Sequence, residues 1–265
     1  MSYPEPKNKL VSFRASSNEN SVLKISDSND AMLEISHLEK TAWCIELRHD
    51  LNKTSPLRQE FTSQHEQIEV SPLNVSENNQ FLELELSSTK ETKLLIDKST
   101  WQFKVFDETG SEIFVSNTDP FLFHKKPVEI YDGIKSLKLT DLGLLGPGLP
   151  PGKKFESSML RFSYPLPEGI VLGLPGQTGE INRSGHRFEM YNTDNPTHTP
   201  ETSSPLYQSW PILFHKDLTG NGWIAIFHDN PSRTFVDIGS FYPDSITFES
   251  SYGNNRIYIF HGKTS

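Results

Sequence analysis

The 265-residue chain has one cysteine, no basic cluster and no amphipathic stretch of ten or more residues at helical spacing. It also has no apolar run near the 18 residues that a membrane-spanning helix needs. Each absence narrows the reading. A single thiol cannot close an internal disulfide, and the start, Met-Ser-Tyr-Pro-Glu-Pro-Lys-Asn, lacks the basic segment and apolar core of a secretion signal. A reducing, cytoplasmic setting is therefore expected. Asn52-Lys-Thr, Asn74-Val-Ser and Asn182-Arg-Ser fit the glycosylation pattern but read as chance matches in that setting. Cys44, in Thr41-Ala-Trp-Cys-Ile-Glu-Leu, reads as a small buried apolar residue, because no cationic neighbour is there to lower its pKa. With 25 Lys plus Arg against 34 Asp plus Glu the formal charge is −9, the wrong sign for a nucleic-acid binder that must neutralise phosphates. Apolar residues are scarce too. The 34% hydrophobic share, with 16 glycines in 265 residues added, gives about 40%, below the usual 45–50% of a globular domain.

What is present is short and alternating. Aromatics make up 11%, led by 17 Phe, and apolar clusters are separated by Pro, Gly, Asn and Ser. Ala31-Met-Leu-Glu-Ile-Ser and Phe81-Leu-Glu-Leu-Glu-Leu alternate with period two, so Glu83 and Glu85 should face away from Leu82, Leu84 and Leu86. Trp101-Gln-Phe-Lys-Val-Phe, Asp107-Glu-Thr-Gly110 and Ser111-Glu-Ile-Phe-Val make a hairpin in which Trp101, Phe103 and Val105 share a face and Gly110 supplies a positive φ. Further strands follow at Ser158, Arg187, Trp210, Trp223, Thr234, Ser245 and Arg256. About fourteen strands exceed the seven to nine of an immunoglobulin-type domain. No fixed-period repeat points to a propeller or solenoid. The expected fold is all-β, one large antiparallel sandwich with few or no helices.

Several chemistries lack their motif. Gly-Pro-Gly-Leu-Pro-Pro-Gly at 146–152 has prolines where a phosphate cradle needs N–H donors, and Lys153-Lys154 is followed by Phe155, so it reads as a surface loop. Three strands end in Phe-His, at His215, His228 and His261, and Phe123-His124 resembles them; without ligand spacing they read as strand exits rather than a metal site. No Gly-x-Ser-x-Gly or His-Glu-x-x-His is present. Nothing in the spacing of the 34 carboxylates selects the pair that a retaining glycosidase holds about 5–5.5 Å apart. The informative stretch runs from Gly173 to Asp194, a long excursion punctuated by Gly173, Gly176, Gly179 and Gly185 that ends in Asn192-Thr-Asp-Asn-Pro196. Read bare, Asp194 is an Asx-turn residue or a ligand contact.

That stretch resembles the end of the N-terminal β-domain in glycoside hydrolase family 31, the α-glucosidase and α-xylosidase family. The residues carrying the resemblance are Asn182-Arg-Ser-Gly185, Tyr191-Asn-Thr-Asp194 and Pro205-Leu-Tyr-Gln-Ser-Trp-Pro211. Asn230-Pro-Ser-Arg-Thr-Phe-Val-Asp237-Ile-Gly and Tyr252-Gly-Asn-Asn-Arg-Ile-Tyr-Ile-Phe-His-Gly262 continue it. The likeness is strong over 160–262 and weaker over 90–120; Pro175-Gly176 departs from the family's Gly-Glu. The resemblance implies a galactose mutarotase-like super-sandwich over 21–262 with an extended loop at 173–200, preceded by an arm or loosely attached strand at 1–20. It further implies that 263–265 begin a linker to an absent (β/α)₈ barrel, which in the family carries the aspartate nucleophile and acid/base. On this reading the chain has no catalytic residues, cofactor or metal of its own. Its partners are that barrel and an α-linked oligosaccharide, with no nucleic acid or membrane. Asp194 and Asn195 are its substrate-binding residues, on the leaving-group side. Leu206, Tyr207 and Trp210, with the 173–200 loop, should leave apolar surface where the barrel docks. Two other classes compete: a free-standing carbohydrate-binding module with exposed stacking aromatics, and a mutarotase-like aldose epimerase, which needs a His acid and a Glu base in one cleft.

Overall fold

A computed structural model of the chain describes residues 8–9, 13–19, 22–27, 32–38, 42–48, 71–87, 91–130, 153–194, 206–250 and 253–263. They form nineteen strands, where the sequence suggested about fourteen, and no helix among the described residues. The eight-stranded sheet contains β2 (Phe13–Glu19), β3 (Val22–Asp27), β4 (Met32–Leu38), β5 (Ala42–Arg48), β13 (Leu172–Gly173), β15 (Ile212–Lys216), β16 (Gly222–His228) and β19 (Asn255–Lys263), in the order β13-β15-β16-β19-β5-β4-β3-β2. A five-stranded sheet orders β10 (Glu112–Val115), β9 (Phe103–Asp107), β8 (Thr92–Asp97), β7 (Phe81–Leu86) and β6 (Leu73–Glu77). A six-stranded sheet runs β1 (Asn8–Lys9), β11 (Phe121–Ile130), β12 (Lys153–Pro165), β18 (Ser245–Ser250), β17 (Thr234–Ile238) and β14 (His186–Met190). The pairings are antiparallel throughout. Residues 1–20, read as an arm or first strand, supply β1 and the edge strand β2. The Pro-rich break at 146–152 lies outside the described residues.

Alternation decides what enters the core. Leu82, Leu84 and Leu86 are buried while Glu83 and Glu85 stay half-buried on the opposite face. In the β9–β10 hairpin Asp107 Oδ1 accepts the N–H groups of Thr109 (2.9 Å) and Ser111 (3.0 Å), and Gly110 takes φ 80°. A bulge between Glu112 and Phe114 then turns both Ile113 and Phe114 inward. Phe162 of β12 ties the layers together. Its ring lies 6.0 Å from Phe103 of the five-stranded sheet and 6.3 Å from Phe248, while Tyr164 stacks 5.6 Å from His215 of the eight-stranded sheet. The three sheets therefore share one core cluster.

The Phe-His pairs are a correction. His215 and His228 stand at or next to the ends of β15 and β16 but do not leave the core: both are buried, and it is the preceding Phe214 and Phe227 that lie on the opposite face. The reason is register. Leu213 and His215, and Ile224, Ile226 and His228, share the inward face of β15 and β16. His228 bonds to Asn255 Oδ1 through Nε2 at 2.9 Å, and burial lowers its pKa to about 4. An unfolded chain binds that proton near pH 6.5, so protonation favours unfolding as pH falls from 6.5 to 4. Stability is expected to drop by about 3 kcal/mol across that window from this group alone. Urea midpoints at pH 7 and pH 4.5 check it; His228→Gln should flatten the slope. Cys44 is buried, as its sequence context indicated, and burial pushes its thiol up to about 12.

Candidate functional site

The Gly173–Asp194 excursion leaves the sheet edge where β13 pairs with β15. Gly173 (φ 124°) is obligatory there: a Cβ would stand 2.2 Å from the Ile212 carbonyl oxygen. The loop is then gathered around one side chain. Arg183, only 7% exposed, donates Nε to the Gly173 carbonyl (3.1 Å), Nη1 to Thr178 O (2.7 Å) and Nη2 to Gln177 O (3.1 Å), and its guanidinium covers the Phe188 ring at 5.1 Å. Its neighbour Asn182 accepts the N–H groups of Val171 (3.1 Å) and Ser184 (3.2 Å) through Oδ1. The planar five-donor fork suits this role, since carbonyls diverging from an irregular loop need donors that diverge likewise.

Beyond Gly185 the chain enters β14, the edge of the six-stranded sheet. Its outward face carries a cation–aromatic ladder. Arg233 covers Tyr191 (5.5 Å) and Phe235 (5.4 Å), Arg187 covers Phe235 (4.8 Å) and Phe241 (4.7 Å), and Arg161 covers Tyr242 (4.5 Å). Glu249 anchors it by accepting from Arg161 (2.7 Å), Arg187 (2.9 Å) and the Tyr242 hydroxyl (3.3 Å), and Arg233 pairs with Glu189. Past the ladder the Thr193 N–H donates to Leu206 O at 2.9 Å, and Asp194 follows, exposed. Asn195, the other residue proposed from sequence, lies outside the described residues, as do 196–205.

The apolar surface expected here is present in part. Tyr207 and Trp210 are about half exposed and Ile181 is 80% exposed, but Leu206 is buried. Leu206 turns inward next to its bond with Thr193, so the aromatics after it carry the surface. The oxygens Gln177 Oε1, Ser184 Oγ and Ser209 Oγ are buried without a partner. Among the described residues no three His, Cys, Asp or Glu side chains converge as a metal site. Arg183, Arg187 and Glu249 escaped the sequence reading because charged residues are expected at the surface. The one available signal was that Arg183 sits inside Asn182-Arg-Ser-Gly185 and Glu249 inside an alternating strand.

Sandwich, glycine-bordered excursion and polar outer face together define a galactose mutarotase-like β-domain. Residues 12–237 match the glycosyl hydrolase 31 N-terminal galactose mutarotase-like domain, and the chain belongs to that family. Similar solved structures include the Flavobacterium johnsoniae dextranase of family 31, with a TM-score of 0.64 and 17% identity over 98% of this chain and 27% of that one. The α subunit of glucosidase II gives 0.64 and 15% over 100% and 33%. An uncharacterized protein from Listeria monocytogenes EGD-e gives 0.62 and 14% over 96% and 21%. The chain thus spans a third or less of the length of these relatives. No curated protein matches it by sequence.

Proposed function

We propose that this chain serves a retaining α-glycosidase by packing on its catalytic barrel and holding Asp194, with Asn195 beside it, at the substrate's leaving-group side. The observation that carries the reading is the succession from the Arg183-caged loop through the cation–aromatic ladder to an exposed carboxylate tied back by Thr193. Such bracing suits positioning, because misplacing a contact by about 1 Å can cost on the order of 100-fold in rate. Barrel loops supply catalytic carboxylates in this architecture, and a sandwich supplies a rigid wall opposite them. Half-exposed Tyr207 and Trp210 suit a protein interface, in which aromatics bury area. Related solved structures are a dextranase complexed with isomaltotriose and a glucosidase II α subunit bound to Glc1Man2, in keeping with hydrolysis of terminal α-glycosidic bonds.

The test joins this domain to a family 31 catalytic barrel. Asp194→Ala is expected to lower kcat/KM on an α-glucoside about 10- to 100-fold, the worth of a lost charged hydrogen bond, with unchanged thermal stability. Unchanged kcat/KM overturns the role of Asp194. The isolated chain is expected to hydrolyse no α-glycoside, and calorimetry with glucose or maltose to show no binding at millimolar concentration.

A further inference from the structure

The turn that joins β15 to β16, residues 217–222, holds Asn221-Gly222, the single Asn-Gly pair in the sequence. Such pairs usually occupy the two central positions of a tight hairpin. Here the pair sits at the far end of a longer turn, with Asn221 exposed and Gly222 buried as the first residue of β16. The Asp217 N–H donates to Gly222 O (3.1 Å), the Gly220 N–H to Asp217 O (3.0 Å) and the Asn221 N–H to Thr219 Oγ1 (3.2 Å). The Leu218 N–H reaches Ile113 O of β10 at 3.1 Å, so the turn also ties the eight-stranded sheet to the five-stranded one.

Gly222 has no room for a side chain. A Cβ there would stand 2.3 Å from Asp217 Oδ2 and 2.6 Å from His261 Nε2. That close approach brings a base to the backbone. The Asp217 carboxylate, 7% exposed, accepts the Gly222 N–H, the Thr219 hydroxyl (2.8 Å) and a bond from His261 Nε2 (3.1 Å). Burial alone would raise its pKa, but these three bonds outweigh burial and hold the carboxyl below its ordinary value, so it is ionised at pH 7. The nitrogen of Gly222 thus has a proton acceptor on it and, by chain connectivity, the Asn221 amide carbon as an electrophile, with no side chain to hinder ring closure.

We propose that Asn221 is a site of self-modification in the folded protein. Gly222 N passes its proton to Asp217 and bonds to Asn221 Cγ; the amide C–N bond breaks, and that proton leaves with the amide nitrogen as ammonia. Water then opens the five-membered imide at one carbonyl or the other, leaving aspartate or isoaspartate at 221. Isoaspartate adds a methylene to the backbone and a negative charge to the turn that holds Asp217. It displaces Gly222 from between Asp217 and His261 and loosens the tie to β10.

The test holds the 265-residue chain at pH 7 and physiological temperature, then analyses the tryptic peptide from Asp217 to Arg233 by mass spectrometry and by methyl transfer with a protein-isoaspartate methyltransferase. Isoaspartate is expected at 221, formed faster in the folded chain than in concentrated urea, where Asp217 no longer meets Gly222. Asn230 in the same peptide precedes Pro231, which has no N–H, and should stay unmodified. Asp217→Asn should slow conversion about tenfold or more. Asn221→Gln should prevent it and keep the melting temperature that the aged wild type loses. Four results overturn the proposal: no isoaspartate at 221, conversion as fast or faster in urea (chemistry of the dipeptide alone), undiminished conversion in Asp217→Asn, or an aged chain that melts unchanged.

Discussion

Glu249→Ala is expected to destabilise the domain by about 3–5 kcal/mol, the cost of breaking a buried ion pair from one side. The Glu249 side chain is 3% exposed, and those of Arg161 and Arg187 are 11% and 13% exposed. Oε1 accepts both Nε (3.0 Å) and Nη2 (2.7 Å) of Arg161, while Oε2 accepts Arg187. Without the carboxylate, two guanidinium groups face each other in a place that water reaches poorly. The ladder then loses an anchor, since Glu249 Oε2 ties the Arg187 guanidinium that lies against Phe235 and Phe241. Urea denaturation measures the loss. Glu249→Gln, which keeps the shape and one acceptor, should fall between alanine and wild type. The triple change of Glu249, Arg161 and Arg187 to Met should recover most of the loss, because it removes the uncompensated charge. Equal losses in the single and triple variants would instead place the effect in packing.

Arg183→Met is expected to cost about 3 kcal/mol or more, because three carbonyls lose their donor at about 1–3 kcal/mol for each that stays buried. Methionine keeps an unbranched apolar chain against Phe188, so the loss reports the hydrogen bonds rather than the packing. Arg183→Lys should rescue little, since an ammonium lacks the fork that reaches Gly173, Gln177 and Thr178 together. The loss is also local. Hydrogen exchange should accelerate from 174 to 185 while the Phe162 core, whose ring packs against Phe103 and Phe121, keeps its protection. Joined to a catalytic barrel as proposed above, the same variant should reproduce part of the Asp194→Ala defect.

The alternating strands were legible. Leu82, Leu84 and Leu86, and the hairpin with its turn at Asp107–Gly110, are where period two and a positive-φ glycine placed them. Local patterns of this kind need no knowledge of the rest of the chain. The Phe-His pairs misled for a related reason: alternation gives the two faces of a strand but not which face is inside. In β15 and β16 the choice fell to the neighbouring strands, which bury Leu213 and Ile226 and carry the histidines in with them. Asp194 was singled out only through family resemblance; it lies exposed at the end of the excursion, and its role is the one proposed above.

By itself the sequence determined an antiparallel β-sandwich, a buried thiol, a formal net charge of −9 and an irregular excursion between 173 and 194. Tertiary structure alone decided which polar groups are interior. Glu249 meets its arginines 88 and 62 residues away, and Trp43 meets Thr92 49 residues away. Burying a charge or a donor is favourable only with its partner in place. No local pattern can announce such a partner, because it is brought there by strand register across three sheets.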